Sequence, residues 1–341
     1  MRRKQIGLYI HIPFCKQKCS YCDFCSYANK ESFIKRYIQC VLKEIIEVGN
    51  NNKIDFENGK DDLFLVKTIY IGGGTPSLID SKYIVQIIED IKLNFEIDEK
   101  AEITIEVNPG TVTLEKLEDY KRAGINRLSI GLQSTHEHLL KEIGRIHTYL
   151  DFLDTFRFAR EAGFENINVD LMIGIPNQTL EEVKDSIEEI VSMEPEHISV
   201  YSLILEENTP LFKKVEEGLE LPNEDLERKM YWAVKQTLEQ NNYIHYEISN
   251  FAKKGYESKH NLDCWNQKEY IGFGIAAHSY TNGIRYSNIE NIEQYIKNYD
   301  EDKTEENLVF HEKQDMEAMQ KEYMLLGLRK IDGVSIQEFK I

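Results

Sequence analysis

The sequence predicts an α/β protein in which helices flank a parallel sheet. Three observations carry this. Six short runs rich in Val, Ile, Leu and Tyr alternate with amphipathic helical patterns across residues 7–203. Several helices open on Ser or Thr with a Glu close behind, and Gly closes two of them before the next strand. The least ordinary residues fall just past the C-terminal ends of the strands, where βα folds keep their ligands. An open doubly wound sheet and a partial (βα)6 barrel both satisfy these observations.

The elements follow in order. Strand one, GLYIHI (7–12), leads into a cysteine loop and the helix ESFIKRYIQCVLKEIIEVG. Cys40 on that helix reads as a core residue, since a free cysteine packs as a small hydrophobe. The polar stretch 50–62, NNNKIDFENGKDD, reads as a surface loop. Strand two, VKTIYI (66–71), runs into GGGTPS and the helix SKYIVQIIEDIKLNF. Strand three, EITIEV (102–107), ends in NPG and is followed by TLEKLEDYKRAG. Strand four, RLSIGL (127–132), ends in QS. Strand five, NINVDLM (166–172), ends in IGIPNQT and is followed by TLEEVKDSIEEIVSM, then strand six, HISVYSL (197–203). Units of this kind in series return each strand parallel to the last through a right-handed crossover.

Beyond about residue 205 the alternation breaks down. The helix EDLERKMYWAVKQTLEQN leads to YIHYEISNFA and then to KHNLDCWNQKEYIGFGIAAHSY. SYTNGIRYS sets Asn-Gly between β-prone residues, the signature of a tight hairpin. A last helix, EKQDMEAMQKEYMLLGLRK, precedes DGVSIQEFKI. The expected division is a core over 1–205, an extension over 206–300, and the start of a small helical or winged-helix-like domain over 301–341, either truncated or simply short.

The chain has 341 residues and a formal charge of −18, a poor match for a phosphate backbone. Nucleic acid is therefore not an expected partner. The N-terminus MRRKQIGLYIHIPF has neither the apolar run nor the cleavage site of a signal peptide. No stretch approaches the ~18 consecutive apolar residues of a membrane span. A soluble, cytoplasmic protein is expected. Six cysteines make no disulfide scaffold, and four of them sit within residues 15–25, which reads as metal ligation.

That cluster, IHIPFCKQKCSYCDFCSY, carries two overlapping registers. One is C-x3-C-x2-C on Cys15, Cys19 and Cys22. The other is C-x2-C-x2-C on Cys19, Cys22 and Cys25. A ferredoxin run would place its next cysteine, followed by proline, at position 29, which is Asn29 with no proline behind it. A structural zinc needs four ligands, usually drawn from two separated hairpins. The first register instead offers three thiolates for three irons of a [4Fe–4S] cluster and leaves the fourth open. Gly73, Gly74 and Thr75 let a backbone approach a ligand closely. Glu106 ends a buried apolar strand, which is not the usual place for an acid.

Taken together, YIHIPFC…C…CDF, GGGTPS, EVNPG, GLQS, Arg145 with His147, NVDLMIGIPNQT and YEISNFA resemble the oxygen-independent coproporphyrinogen oxidase group of the radical S-adenosylmethionine superfamily. The resemblance runs from about Tyr9 to Tyr280. It implies a partial (βα)6 TIM-like barrel of the radical SAM type, with a smaller C-terminal α+β region. It implies that Cys15, Cys19 and Cys22 hold the [4Fe–4S] cluster and that the open iron chelates S-adenosylmethionine. One electron then cleaves the sulfonium and releases a 5′-deoxyadenosyl radical. By motif position, Tyr9, Tyr21, Gly73, Gly74, Thr75, Glu106, Gln133, Arg145 and Asp170 line the S-adenosylmethionine site. A guanidinium fork suits a carboxylate, and an acid suits hydroxyls or an amine. Cys25 is left over, and His11, His147 and His278 receive no role.

The group holds enzymes that decarboxylate coproporphyrinogen III to protoporphyrinogen IX and proteins regarded as heme chaperones. Three features favour the chaperone branch. Strand one begins by residue 7, without the N-terminal extension that helps build the enzyme's pocket. Phe24 in CDF stands where the enzyme has its extra cysteine. HNLDCW (260–265) resembles the H-N-x-x-Y-W motif associated with heme. Imidazole is a common iron ligand, so His260 is the candidate, with Trp265 able to pack on the porphyrin face. Cys264 stands at the tyrosine position and brings a thiol beside the histidine. The resemblance thus implies a protein that binds heme and passes it to hemoprotein acceptors, including any at the membrane surface. It also implies an electron donor such as flavodoxin or ferredoxin. The alternative is a coproporphyrinogen III oxidase.

Overall fold

A computed structural model describes residues 3–51 and 64–339; the loop expected at 50–62 lies almost wholly outside them. Six parallel strands form the centre: β1 (Lys4–Ile12), β2 (Phe64–Gly73), β3 (Glu96–Val107), β4 (Arg127–Gln133), β5 (Ile167–Ile173) and β6 (His197–Ser202). They are hydrogen-bonded in chain order. A doubly wound sheet reverses its order at a switch point, and this one does not. The architecture is the partial (βα)6 barrel.

Strand alternation divides the two faces. Leu8, Ile10, Ile69, Ile71, Ile103, Ile105, Leu128 and Ile130 are buried in the aliphatic layer under the helices. Their neighbours of opposite parity face inward: Tyr9 and His11, Thr68 and Tyr70, Thr104 and Glu106, Ser129, Asn168 and Asp170, His197 and Ser199. An ordinary barrel fills this space with branched aliphatics. Here the interior is polar, which leaves room for a ligand rather than a packed plug.

The outer helices are α1 (Ile34–Asn51), α2 (Ser81–Asn94), α3 (Leu114–Ala123), α4 (Glu137–Glu142), α5 (Tyr149–Glu161) and α6 (Leu180–Ser192). Thr148 and Thr179 form complete capping boxes, and Gly124 ends α3 with φ 101°. Asp80, rather than Ser81, caps α2. Cys40 is fully buried on α1, as expected of a core thiol.

The remaining helices are α7 (Pro210–Glu216), α8 (Glu224–Gln240), α9 (Lys259–Trp265), α10 (Ile292–Asp300), α11 (Met316–Gly327) and α12 (Ile336–Phe339). Six further strands extend the sheet at both edges. Beside β6 lie β7 (Ile244–Glu247) and β8 (Asn250–Ala252), with β8 antiparallel to both neighbours. Beside β1 lies β9 (Tyr270–Phe273), parallel to it, then the antiparallel β10 (His278–Thr281), β11 (Ile284–Asn288) and β12 (Leu308–Lys313). The expected hairpin joins β10 to β11, with Asn282 and Gly283 at φ 52° and 73°. No helix among the described residues is long and apolar enough to cross a membrane.

Candidate cofactor site at the C-terminal end of the barrel

β1 ends at Ile12, and Phe14–Cys15 then pairs with Tyr27–Ala28 to close the cysteine loop. The Ser20 N–H donates to the Ile143 carbonyl at 3.0 Å and ties the loop to the end of α4. Beneath it lies a cavity of about 500 Å³ lined by Cys15, Cys19 and Cys22. Cys25 does not line it. Its Sγ donates to the Glu290 carbonyl at 3.6 Å, and its own carbonyl is hydrogen-bonded by His11 Nε2 at 2.8 Å. Among the described residues, no three His, Cys, Asp or Glu side chains converge on a single metal ion. The three thiols share one cavity wall instead.

The glycine turn is held against that wall. The Gly74 N–H donates to the Ile12 carbonyl at 2.9 Å and the Thr75 N–H to the Phe14 carbonyl at 2.8 Å. A Cβ on Gly74 would stand 2.9 Å from the Phe14 oxygen and 3.0 Å from Cys15 Sγ. Gly73 adopts φ 115°, and its Cβ would meet the His11 ring at 2.6 Å. The close approach therefore includes the chain's own cysteine loop, a reason for glycine that the sequence did not disclose.

A rail of polar side chains runs along the cavity. Thr75 Oγ1 donates to Cys15 Sγ at 3.6 Å and accepts from Asn108 Nδ2 at 3.0 Å. Asn108 Oδ1 accepts from Arg145 Nη1 at 2.9 Å, and Arg145 Nη2 donates to Tyr21 Oη at 3.0 Å. Arg145 Nε is buried with no partner in the protein. On the opposite side Glu106 accepts from Tyr70 Oη at 2.9 Å and from the Gly73 N–H at 3.1 Å. Burial, with Asp170 nearby, pushes the Glu106 carboxyl up to about 7 against those two hydrogen bonds and Arg145. Asp170 accepts from Ser129 Oγ at 3.2 Å and Asn168 Nδ2 at 2.7 Å, and burial raises it too. Gln133 ends β4 at φ 75°, a strained backbone for a residue other than glycine.

Tyr21, Gly73, Gly74, Thr75, Glu106, Gln133, Arg145 and Asp170 all line this cavity. Tyr9 does not. Its hydroxyl is hydrogen-bonded to His11 Nδ1 at 2.9 Å, and its ring stacks 6.3 Å from that of Tyr70. Tyr70, Asn108, Ser129 and Tyr201 line the cavity without having been singled out. Tyr70 was findable, because it shares the inward parity of Gly72 on β2.

The HNLDCW segment is placed differently. It forms α9, which lies below the cavity toward the N-terminal ends of the strands. The N–H groups of Lys259 and His260 donate to the two carboxylate oxygens of Glu102, each at 3.1 Å. The His260 ring enters the barrel, with Nδ1 hydrogen-bonded to Thr68 Oγ1 at 2.8 Å and the ring stacked 5.2 Å from that of Tyr70. Burial, then Arg127, lowers its imidazole to about 4. Burial, then Asp263, pushes the Cys264 thiol up to about 12. Trp265 lies beneath the Arg329 guanidinium, 4.3 Å from its ring centre, with Nε1 buried and unpartnered. The structure gathers the residues of the first set except Tyr9 around one cavity, and it places His260 inside the barrel and Trp265 beneath Arg329.

Six βα units with a three-thiol wall and a glycine turn at their C-terminal ends define the class of protein. The Radical SAM superfamily model matches residues 9–190, more than half of the chain. Coproporphyrinogen III oxidase (HemN) from Escherichia coli superposes with a TM-score of 0.81 over 96% of this chain and 76% of that one, at 22% identity, a likeness of fold. Heme chaperone HemW of Bacillus subtilis is 41% identical over 97% of this chain and 85% of its own length. Heme chaperone HemW of Lactococcus lactis is 37% identical over 100% and 86%. That of Escherichia coli is 39% identical over 80% and 69%. The chain belongs to the radical SAM superfamily and, within it, to the HemW family.

Proposed function

We propose that this chain carries a [4Fe–4S] cluster on Cys15, Cys19 and Cys22, binds S-adenosylmethionine beneath it, and acts as a heme chaperone. The observation that carries the site is the sorting of the thiols: three face the cavity, and Cys25 is held by Glu290 away from it. The residues fit such a group. The cavity lies within the usual range of about 300–1,000 Å³ for ligand pockets, and Arg145 Nε is a buried donor left without a partner. When bound, the cluster offers one electron and an open iron to S-adenosylmethionine.

The chain's own side chains hold and orient. Asn108 and Tyr21 fix the Arg145 fork, which suits a carboxylate. Tyr70 and the Gly73 N–H each occupy one oxygen of Glu106, and the remaining lone pairs accept from hydroxyls. Asp170 is steadied by Ser129 and Asn168 to meet an amine or hydroxyl.

Membership of the HemW family supports heme as cargo and hemoproteins as acceptors. His260 is the proposed iron ligand, assisted by Cys264 and Trp265. Its imidazole lies inside the barrel, so ligation of a porphyrin iron goes with withdrawal of α9. A one-electron donor protein, flavodoxin or ferredoxin in kind, would supply the electron to a bound cluster.

The test is an anaerobic reconstitution followed by two additions. Heme titrated into the loaded chain should bind stoichiometrically, with affinity reduced at least tenfold in His260→Ala. Coproporphyrinogen III given with S-adenosylmethionine and reductant should persist. Its conversion to protoporphyrinogen would replace the chaperone reading with the oxidase one, and undiminished heme binding by His260→Ala would remove that ligand.

A further inference from the structure

The two candidate sites of this chain meet at one side chain. Tyr70 Oη donates to Glu106 in the cavity wall at 2.9 Å, and the same ring is stacked on His260 at 5.2 Å with the planes 28° apart. The family motifs do not include Tyr70, and the functional reading above uses it only as a donor to Glu106. Resting on that reading of heme at α9 and S-adenosylmethionine in the cavity, we propose that Tyr70 is a positioning residue that couples the two ligands with opposite sign.

The argument starts from what holds each partner. The Glu106 carboxylate has two fixed donors, Tyr70 Oη on one oxygen and the Gly73 N–H on the other. Losing Tyr70 leaves it tethered at one point. Burial, with Glu106 beside it, keeps the Tyr70 hydroxyl protonated, so it remains a donor. The Tyr70 ring rests between Tyr9, 6.3 Å away, and His260. His260 in turn is fixed by Thr68 and by the two N–H bonds of its helix end to Glu102. His260 is buried, 7% exposed as a whole residue, and no porphyrin reaches its ring there. For His260 to bind heme iron, α9 must leave Glu102 and Thr68, and the face of Tyr70 loses its support.

Two arrangements follow. With α9 seated, Tyr70 is clamped and Glu106 is held for S-adenosylmethionine. With α9 withdrawn, His260 is free for iron and Tyr70 is unclamped. A ligand that prefers one arrangement disfavours the ligand of the other, by the same factor in each direction. S-adenosylmethionine then promotes heme release, a step that a carrier needs as much as capture.

The experiment uses the full chain with its cluster reconstituted. The dissociation constant of S-adenosylmethionine is measured by calorimetry with and without saturating hemin, and that of hemin with and without saturating S-adenosylmethionine. Each ligand should weaken the other by an equal factor, at least about fivefold. Tyr70→Phe keeps the ring on His260 but loses the donor. It should weaken S-adenosylmethionine severalfold, leave hemin alone binding unchanged, and bring the mutual factor to about one. His260→Phe keeps a ring against Tyr70 and cannot ligate iron. It should retain S-adenosylmethionine affinity while losing hemin. Direct overlap of the two ligands would survive Tyr70→Phe, and such persistence overturns the proposal. Independent binding of both ligands by the unaltered chain overturns it as well, while leaving the functional reading intact. Failure of the unaltered chain to bind hemin or S-adenosylmethionine defeats that reading, and the coupling with it.

Discussion

At the C-terminal end of the barrel, side chains are aimed at space. Three thiols face a cavity, Arg145 Nε has no partner, and Glu106 is held by two donors with lone pairs to spare. Toward the N-terminal ends of the same strands, comparable groups are aimed at each other. Asn168 Oδ1 is hydrogen-bonded to His197 Nδ1 at 2.6 Å and Ser199 Oγ at 3.0 Å, His197 Nε2 to Tyr246 at 2.8 Å, and His260 to Thr68. Arg127 Nε, Thr104 Oγ1 and Trp265 Nε1 are among the buried exceptions there. An unpaired buried polar group costs about 1–3 kcal/mol. At the open end the unpaired group, Arg145 Nε, stands beside a cavity in which a ligand can pair it. On the proposed reading the S-adenosylmethionine site is pre-arranged, whereas heme capture at α9 would require a rearrangement.

Substitutions at the open end break this comparison most severely. Serine at Cys15, Cys19 or Cys22 should reduce the iron retained after reconstitution to near background, by metal analysis. Next comes Gly74→Ala, whose Cβ would press on Phe14 and Cys15 Sγ. A loss of about 1–3 kcal/mol in unfolding free energy is expected from overpacking, with a lower iron yield. A normal melting curve and full iron would show that the turn has more slack than the geometry allows.

Glu106 gives a pH signature. Its folded value lies near 7 against an ordinary 4.5, so its stabilising contribution is present below 4.5 and lost as pH rises through 7. Glu106→Gln should make the ligand-free chain more stable than the unaltered one above pH 7, by about 1–2 kcal/mol after allowing for solvent in the cavity. The difference should vanish below the ordinary carboxylate value. Equal stability at both extremes would place the carboxylate in water. At the closed end, Thr68→Val should cost only about 1 kcal/mol and leave iron content untouched.

Much of the open end was legible because it lies on strand ends. The apolar runs of β1, β2, β4, β5 and β6 alternate cleanly, so their termini, with the cysteines and glycines beside them, could be placed from the pattern, and the family resemblance supplied their roles; Glu106 stands at the end of the apolar run of β3. β3 begins at Glu96, six residues ahead of the apolar run at 102, because its first half, EIDEKA, is largely polar and exposed. Its start pairs with Leu65 and Val66, a partner the local pattern does not reveal. The four-residue β9 was equally hidden, since a strand that short has no periodicity of its own. Tyr9 shares the inward parity and is level with Tyr70 in the strand register, but its hydroxyl is taken up by His11 Nδ1 and it does not line the cavity. The inward turn of His260 depends on Thr68 and Glu102, more than 150 positions away, a relation no motif records.

The central claim is that Cys15, Cys19 and Cys22 hold a cluster with one iron open to S-adenosylmethionine, and that Cys25 takes no part. Electron paramagnetic resonance of the reduced, reconstituted Cys25→Ser chain, recorded before and after S-adenosylmethionine is added, tests it most directly. The account predicts a full cluster signal that shifts when S-adenosylmethionine is added, as in the unaltered chain. A Cys25→Ser chain without the cluster, or a signal indifferent to S-adenosylmethionine, would contradict it.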